Sequence, residues 1–91
     1  MIKLKVRGFR KETLKKYEDV KENPLCAISP KNQKALKVSG GKIKVNKSAA
    51  NLIKGRSDKF IGMTKALRDA LELENGQAVE VAFDGKVLKV S

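Results

Sequence analysis

Basic side chains alternating with apolar ones are the main chemistry-bearing pattern of this chain. Lys3, Lys5 and Arg7 alternate with Ile2, Leu4 and Val6, and Lys42 and Lys44 alternate with Ile43 and Val45. Strand side chains point to opposite faces in turn, so burying the apolar set turns the cations outward. Such a row neutralises phosphates with an affinity that falls as salt rises. The competing reading is a solvated strand face on which lysine protects an edge. Lys54-Gly55-Arg56-Ser57 adds two cations and backbone N–H groups of the kind that cradle phosphate, and a plain inter-strand loop accounts for the same residues. It is neither a Walker motif nor GxGxxG. The candidate nucleic-acid-binding residues are therefore Lys3, Lys5, Arg7, Lys42, Lys44, Lys54 and Arg56.

Catalysis has few residues to draw on. The chain has no His, so the usual general base and the commonest metal ligand are both missing. Its ten acids are scattered, with no pair at a metal-like spacing. Asp58, between Arg56 and Lys59, reads as an ion-pair partner. The single Cys26 lies in the apolar run Leu25-Cys26-Ala27-Ile28, where a thiol acts as a small hydrophobe. A non-catalytic protein is expected, with no metal and no cofactor. Four aromatics, none interleaved with the lysines, make a poor stacking platform for single strands. Four arginines supply little bidentate base readout.

The elements that position these cations must come from one small domain. Its 91 residues divide into half-units of about 1–46 and 47–91. The formal charge is +11, unevenly spread. Residues 1–59 carry 17 bases against five acids, a net of +12, and residues 60–91 carry four against five, a net of −1. A uniform solubilising coat would not divide this way, and a concentrated field attracts polyanions. Arg10, Lys11, Lys15, Lys16 and Lys21 are mixed with Glu12, Glu18, Asp19 and Glu22, which reads as a solvated helix. No apolar stretch approaches the roughly 20 residues of a membrane span. The N-terminus alternates where a signal peptide would be continuously apolar. A lone cysteine gives no intramolecular disulfide, and a cytoplasmic protein is expected.

A repeat runs through the chain at an offset of 35 residues. Ser29 falls on Thr64, Ala35 on Ala70, Leu36 on Leu71, Val38 on Leu73 and Gly41 on Gly76. With one residue gapped, 42–45 fall on 78–81. Each copy reads as a short apolar strand (25–28; 60–63), a helix N-cap at Ser29 or Thr64, and about two helical turns. Gly40-Gly41 or Asn75-Gly76 is then expected to stop the helix and launch an alternating strand. Residues 2–7 form another strand, and Asp84-Gly85 joins Val79–Phe83 to Lys86–Val90 as a hairpin. Leu14, Tyr17 and Val20 predict a helical insertion over 10–23, and 49–53 a strand. Val6, Ile28, Leu36, Val38, Ile43, Val45, Met63, Leu67, Leu71, Leu73, Val79 and Val81 are the expected core.

The second copy, Phe60-Ile61-Gly62-Met63-Thr64 through Leu71-Glu72-Leu73-Glu74-Asn75-Gly76-Gln77-Ala78-Val79-Glu80-Val81, resembles the repeating element of the cradle-loop barrels. These include AbrB-type swapped-hairpin DNA-binding proteins, double-psi barrels of the valosin-containing ATPase type, and RIFT barrels such as the archaeal CTP-dependent riboflavin kinases. Two elements in one chain imply a monomer that closes its own barrel, as in the double-psi and RIFT groups. There is no ATPase module, the kinase group's CTP site and metal ligands find no matching residues, and segment 7–24 has no counterpart. The resemblance therefore implies a fold without a transferable site.

The expected architecture is mainly β with two short helices, a pseudo-two-fold closed barrel of six to seven strands, RIFT or double-psi. The expected role is a basic module binding nucleic acid, without a membrane. An adaptor barrel docking on an acidic protein partner is the alternative, and a nucleotide-using enzyme of the riboflavin kinase type the second.

Overall fold

Seven strands and two short helices make up the computed structural model, which describes residues 2–9, 12, 15 and 24–91. In chain order they are β1 (Ile2–Arg7), β2 (Leu25–Ile28), α1 (Pro30–Leu36), β3 (Gly41–Val45), β4 (Ser48–Lys54), β5 (Phe60–Met63), α2 (Lys65–Ala70), β6 (Ala78–Phe83) and β7 (Val87–Val90). The helix expected over 10–23 falls outside the described residues, apart from Glu12 and Lys15. No helix among the described residues is long and apolar enough to cross a membrane.

The strands close into a barrel in the order β1-β5-β2-β4-β3-β7-β6. Its registers carry an internal two-fold. Val6 on β1 pairs in parallel with Ile61 on β5, and Leu52 on β4 pairs in parallel with Cys26 on β2. Leu4 lies opposite Val79 on β6 as Ala50 lies opposite Ile43 on β3, both antiparallel. Thus β1, β2 and β3 correspond to β4, β5 and β6, at offsets of 46, 35 and 36 residues. The drop from 46 to 35 makes the β1–β2 connection eleven residues longer than the β4–β5 one (46 − 35). Only β7 lacks a counterpart. It enters between β3 (parallel) and β6 (antiparallel).

The inward residues of every strand meet in one aliphatic core. Val6, Ile28, Val45, Ile61, Met63, Leu67, Val81 and Leu88 are fully inaccessible. Leu4, Ala50, Leu52, Val79 and Val90 join them. Three expected core residues, Ile43, Leu71 and Leu73, are only half-buried and pack against its margin. Ala70, on the apolar face expected for α2, is exposed, because a helix of six residues buries little beyond Leu67.

The helix ends refine the sequence reading. Ser29 caps α1 by accepting from the Asn32 N–H at 3.2 Å. Thr64, its counterpart, makes no capping bond, and its buried Oγ1 has no partner. The glycines do not stop the helices. Lys37 (φ 59°) and Glu72 (φ 57°), 35 residues apart, take the left-handed conformation instead. Their N–H groups donate to Lys34 and Asp69, and the next residues, Val38 and Leu73, donate to Gln33 and Arg68, closing a Schellman motif at each end. Gly41 (φ 119°) and Gly76 (φ 90°) serve the later turn that launches β3 and β6.

Two side-chain clamps complete the ring. The Gln33 amide, buried, donates to the carbonyls of Ile28 (2.8 Å) and Ile53 (3.2 Å), tying the ends of β2 and β4. Asn46, in the β3–β4 turn, exchanges a pair of bonds with Val90 (2.9 and 2.8 Å) and holds β7 beside β3.

Candidate nucleic-acid interface

Lys3, Lys5 and Arg7 all stand exposed on β1, with Leu4 and Val6 buried behind them. Their neighbours follow from the two ladders of β1. Lys3 lies opposite Glu80, and Lys5 between Ala78 on β6 and Phe60 on β5. The Arg7 guanidinium sits 4.5 Å from the centre of the Phe60 ring, a cation–π contact that holds it flat against the barrel. The Lys5 N–H bonds the Lys59 carbonyl, which adds a fourth basic residue that alternation could not show.

Lys42 and Lys44 are likewise exposed on β3. The register sets them beside small β4 residues, Lys42 opposite Asn51 and Lys44 opposite Ala49. With Ile43, Ala49, Ala50 and Lys86 they line a shallow open groove of about 340 Å³. Lys86 enters this site because β7 runs parallel to β3, with Lys44 paired to Val87. A parallel pairing leaves no local mark in the sequence, so only the hairpin containing Lys86 was foreseeable.

Lys54 closes β4 and is exposed, as is Arg56 in the following loop. Part of the backbone cradle that this loop might have offered is already committed. The Gly55 N–H donates to the Ile28 carbonyl at 2.9 Å, and Ser57 Oγ accepts from Lys59 N–H at 3.2 Å. Lys54 and Arg56 still supply charge, and the Gly55 N–H is not free to join them.

The structure does not bring the seven cations into one patch. Between β1 and β3 lie β6 and β7 one way and β5, β2 and β4 the other. Lys3, Lys5 and Arg7 form one face, and Lys42 and Lys44 another. Glu80, opposite Lys3, is the one acid registered against the first, and none is registered against the second. Among the described residues there is a single ion pair, Lys89 with Asp84 at 3.7 Å. The Asp84 carboxylate is committed to its own hairpin, accepting from Val87 (2.7 Å) and Lys86 (2.8 Å) N–H groups, which hold its pKa below the ordinary value. Residues 23–57, spanning β2, α1, β3 and β4, contain eight Lys/Arg and no acid.

Cys26 is wholly inaccessible, and burial pushes its thiol up to about 12. It is held as a neutral packing group, far from the thiolate that nucleophilic chemistry needs. Among the described residues no three His, Cys, Asp or Glu side chains converge as metal ligands would.

No family model matches the chain, and no curated protein matches it. Solved structures do. A rationally designed protein, apDPBB_sym_79, superposes with a TM-score of 0.60 at 21% identity over 85% of this chain and 90% of its own. A second, mkDPBB_sym1, gives 0.59 at 21% over 85% and 91%. Both are designed double-psi β-barrels. The chain folds as a cradle-loop barrel of the double-psi type, a closed seven-stranded mixed barrel with two helices.

Proposed function

We propose that this barrel is a non-catalytic module that holds the phosphate backbone of nucleic acid on lysine-bearing strand faces. The observation that carries the reading is the lack of compensation: 17 cations lie among the described residues, and one of them is ion-paired. Exposed cations left without carboxylates stabilise the compact state little and repel one another, but they release counterions favourably when phosphate replaces solvent. The arginines support backbone contact over base reading. Arg7 is engaged with Phe60, and Arg68 points an Nη1 at the Met63 carbonyl, 3.4 Å away. Lysine, a point charge without a planar fork, takes phosphate well and discriminates bases poorly.

The test is a fluorescence-anisotropy titration with duplex DNA, single-stranded DNA and RNA at two salt concentrations. Binding at about 50 mM salt, weakening by a log–log slope of roughly 0.7–0.9 per phosphate contact, is expected. Reversing Lys42 and Lys44 to Glu together should lower affinity for every sequence alike. No binding to any nucleic acid at low salt would reject the reading, and an acidic protein partner would take its place.

A further inference from the structure

A stiff ligand cannot occupy both cationic faces at once. The β1 face (Lys3, Lys5, Arg7) and the β3–β7 face (Lys42, Lys44, Lys86) are carried by strands two to three steps apart in a ring of seven. Three is the largest separation such a ring permits, and two to three steps is roughly 100–150° about the barrel axis for evenly spaced strands. The shorter sector between them, through β6 and β7, is not a basic bridge. Glu80 stands on β6 opposite Lys3, and the Asp84–Lys89 pair closes the β6–β7 hairpin. The body separating the faces measures 30 × 24 × 24 Å between Cα extremes. Duplex DNA has a persistence length of about 150 bp, so a duplex of about 20 bp behaves as a rod and cannot wrap a core this narrow.

From this geometry we infer that one monomer bridges two duplexes, one on each face. The inference rests on the nucleic-acid reading above and adds a second, independent phosphate site. With Lys59 the β1 face offers four cations and the β3–β7 face three, so one duplex sees a salt slope of roughly −3, not the roughly −6 of a single merged patch. Charge alone attracts polyanions in general; the duplex is singled out because the lysines have no free platform beside them to stack unpaired bases. Among the described residues, the aromatic registered against the β1 lysines, half-buried Phe60, is covered by Arg7, and none lines the groove of Lys42, Lys44 and Lys86.

The experiment mixes two populations of duplex of about 20 bp, one carrying a donor fluorophore and one an acceptor. The full-length protein is then added at about 50 mM salt. Energy transfer should appear at substoichiometric protein and fade at excess protein, when each duplex acquires its own monomer. Two variants dissect the faces, Lys3→Glu with Lys5→Glu, and Lys42→Glu with Lys44→Glu. All four positions are exposed, so the core is untouched, and the matching Lys→Gln pairs serve should a Glu pair fail to fold. Each variant should still shift the anisotropy of one labelled duplex, while energy transfer falls to the protein-free level. Anisotropy binding without transfer in the wild type overturns the two-faced geometry and leaves single-site binding standing. Undiminished transfer in either variant also overturns it and points to bridging through a protein dimer. Absence of any anisotropy change rejects both this inference and the reading beneath it.

Discussion

The β1·β6 pair and the β4·β3 pair are the same structure built twice, and their outward residues are arranged in opposite ways. Lys3 faces Glu80 on the first, and the same positions on the second hold Ala49 and Lys44. Lys5 faces Ala78 on the first, where the second has Asn51 and Lys42. Inward positions tell another story: Leu4, Val6 and Val81 in one pair answer to Ala50, Leu52 and Val45 in the other, all buried. Packing therefore dictates the inner face of both copies and leaves the outer face free. On the first ladder the cations stand on the strand preceding the long connection, with an acid beside them. On the second they have moved to the partner strand, and no acid accompanies them.

The two helices sharpen the comparison most strongly. Leu36 on α1 and its counterpart Leu71 after α2 occupy matching positions, yet Leu36 is 8% exposed and Leu71 is half-buried. Truncating Leu36 to Ala should cost about 2–5 kcal/mol and truncating Leu71 about 1–2, read from urea midpoints. Equal losses would show that the halves pack alike. Next come Gln33 and Arg68, again 35 residues apart. Gln33 satisfies one buried carbonyl and one part-buried one, whereas Arg68 makes one long contact. Gln33→Ala should destabilise by about 1–3 kcal/mol and Arg68→Ala by less than about 1, since only the former strands desolvated acceptors. The smallest effect belongs to the caps. Ser29→Ala loses a working cap and should cost about 1 kcal/mol. Thr64→Val removes a buried hydroxyl that bonds nothing and should be neutral or slightly stabilising. A larger loss at Thr64 than at Ser29 would reverse the assignment of the working cap.

How much of this was legible in the sequence depends on the element. The match of Ile28–Gly41 to Met63–Gly76 could be read because one offset runs through it, and the doubled strand–helix–strand led to the right fold. The equivalence of β1 and β4 was hidden, since the eleven-residue difference shifts the offset and Ser48-Ala49-Ala50-Asn51 shares no residue type with Ile2-Lys3-Leu4-Lys5. Alternation placed Lys3, Lys5, Arg7, Lys42 and Lys44 outward on their strands, as the structure does. It could not say which strands are neighbours. That depends on three parallel ladders (β1·β5, β2·β4 and β3·β7), each joining segments distant in the chain. The separation of the two faces, the arrival of Lys86 beside Lys42 and the grip of Asn46 on Val90 all follow from these ladders. Left-handed Lys37 and Glu72 went unseen for another reason: glycines stood nearby, and composition favours glycine for that conformation.

The interlocked ladders also set the order in which the chain can become a protein. No ladder joins β1, β2 and β3 to one another, nor β4, β5 and β6. β1 finds its partners only at Ile61 and Val79–Val81, more than fifty residues downstream of Val6 and more than seventy downstream of Leu4. A half emerging first from a ribosome has strands without edges to meet, and it must stay open until the other half is present. Closing such long segments costs chain entropy before any pairing is gained, which places folding in the slow, millisecond-to-second regime of non-local β proteins. Only the β3–β4 and β6–β7 hairpins can form from contiguous chain. They are the natural early structures, and the non-local ladders of β1, β2 and β5 remain to be closed around them.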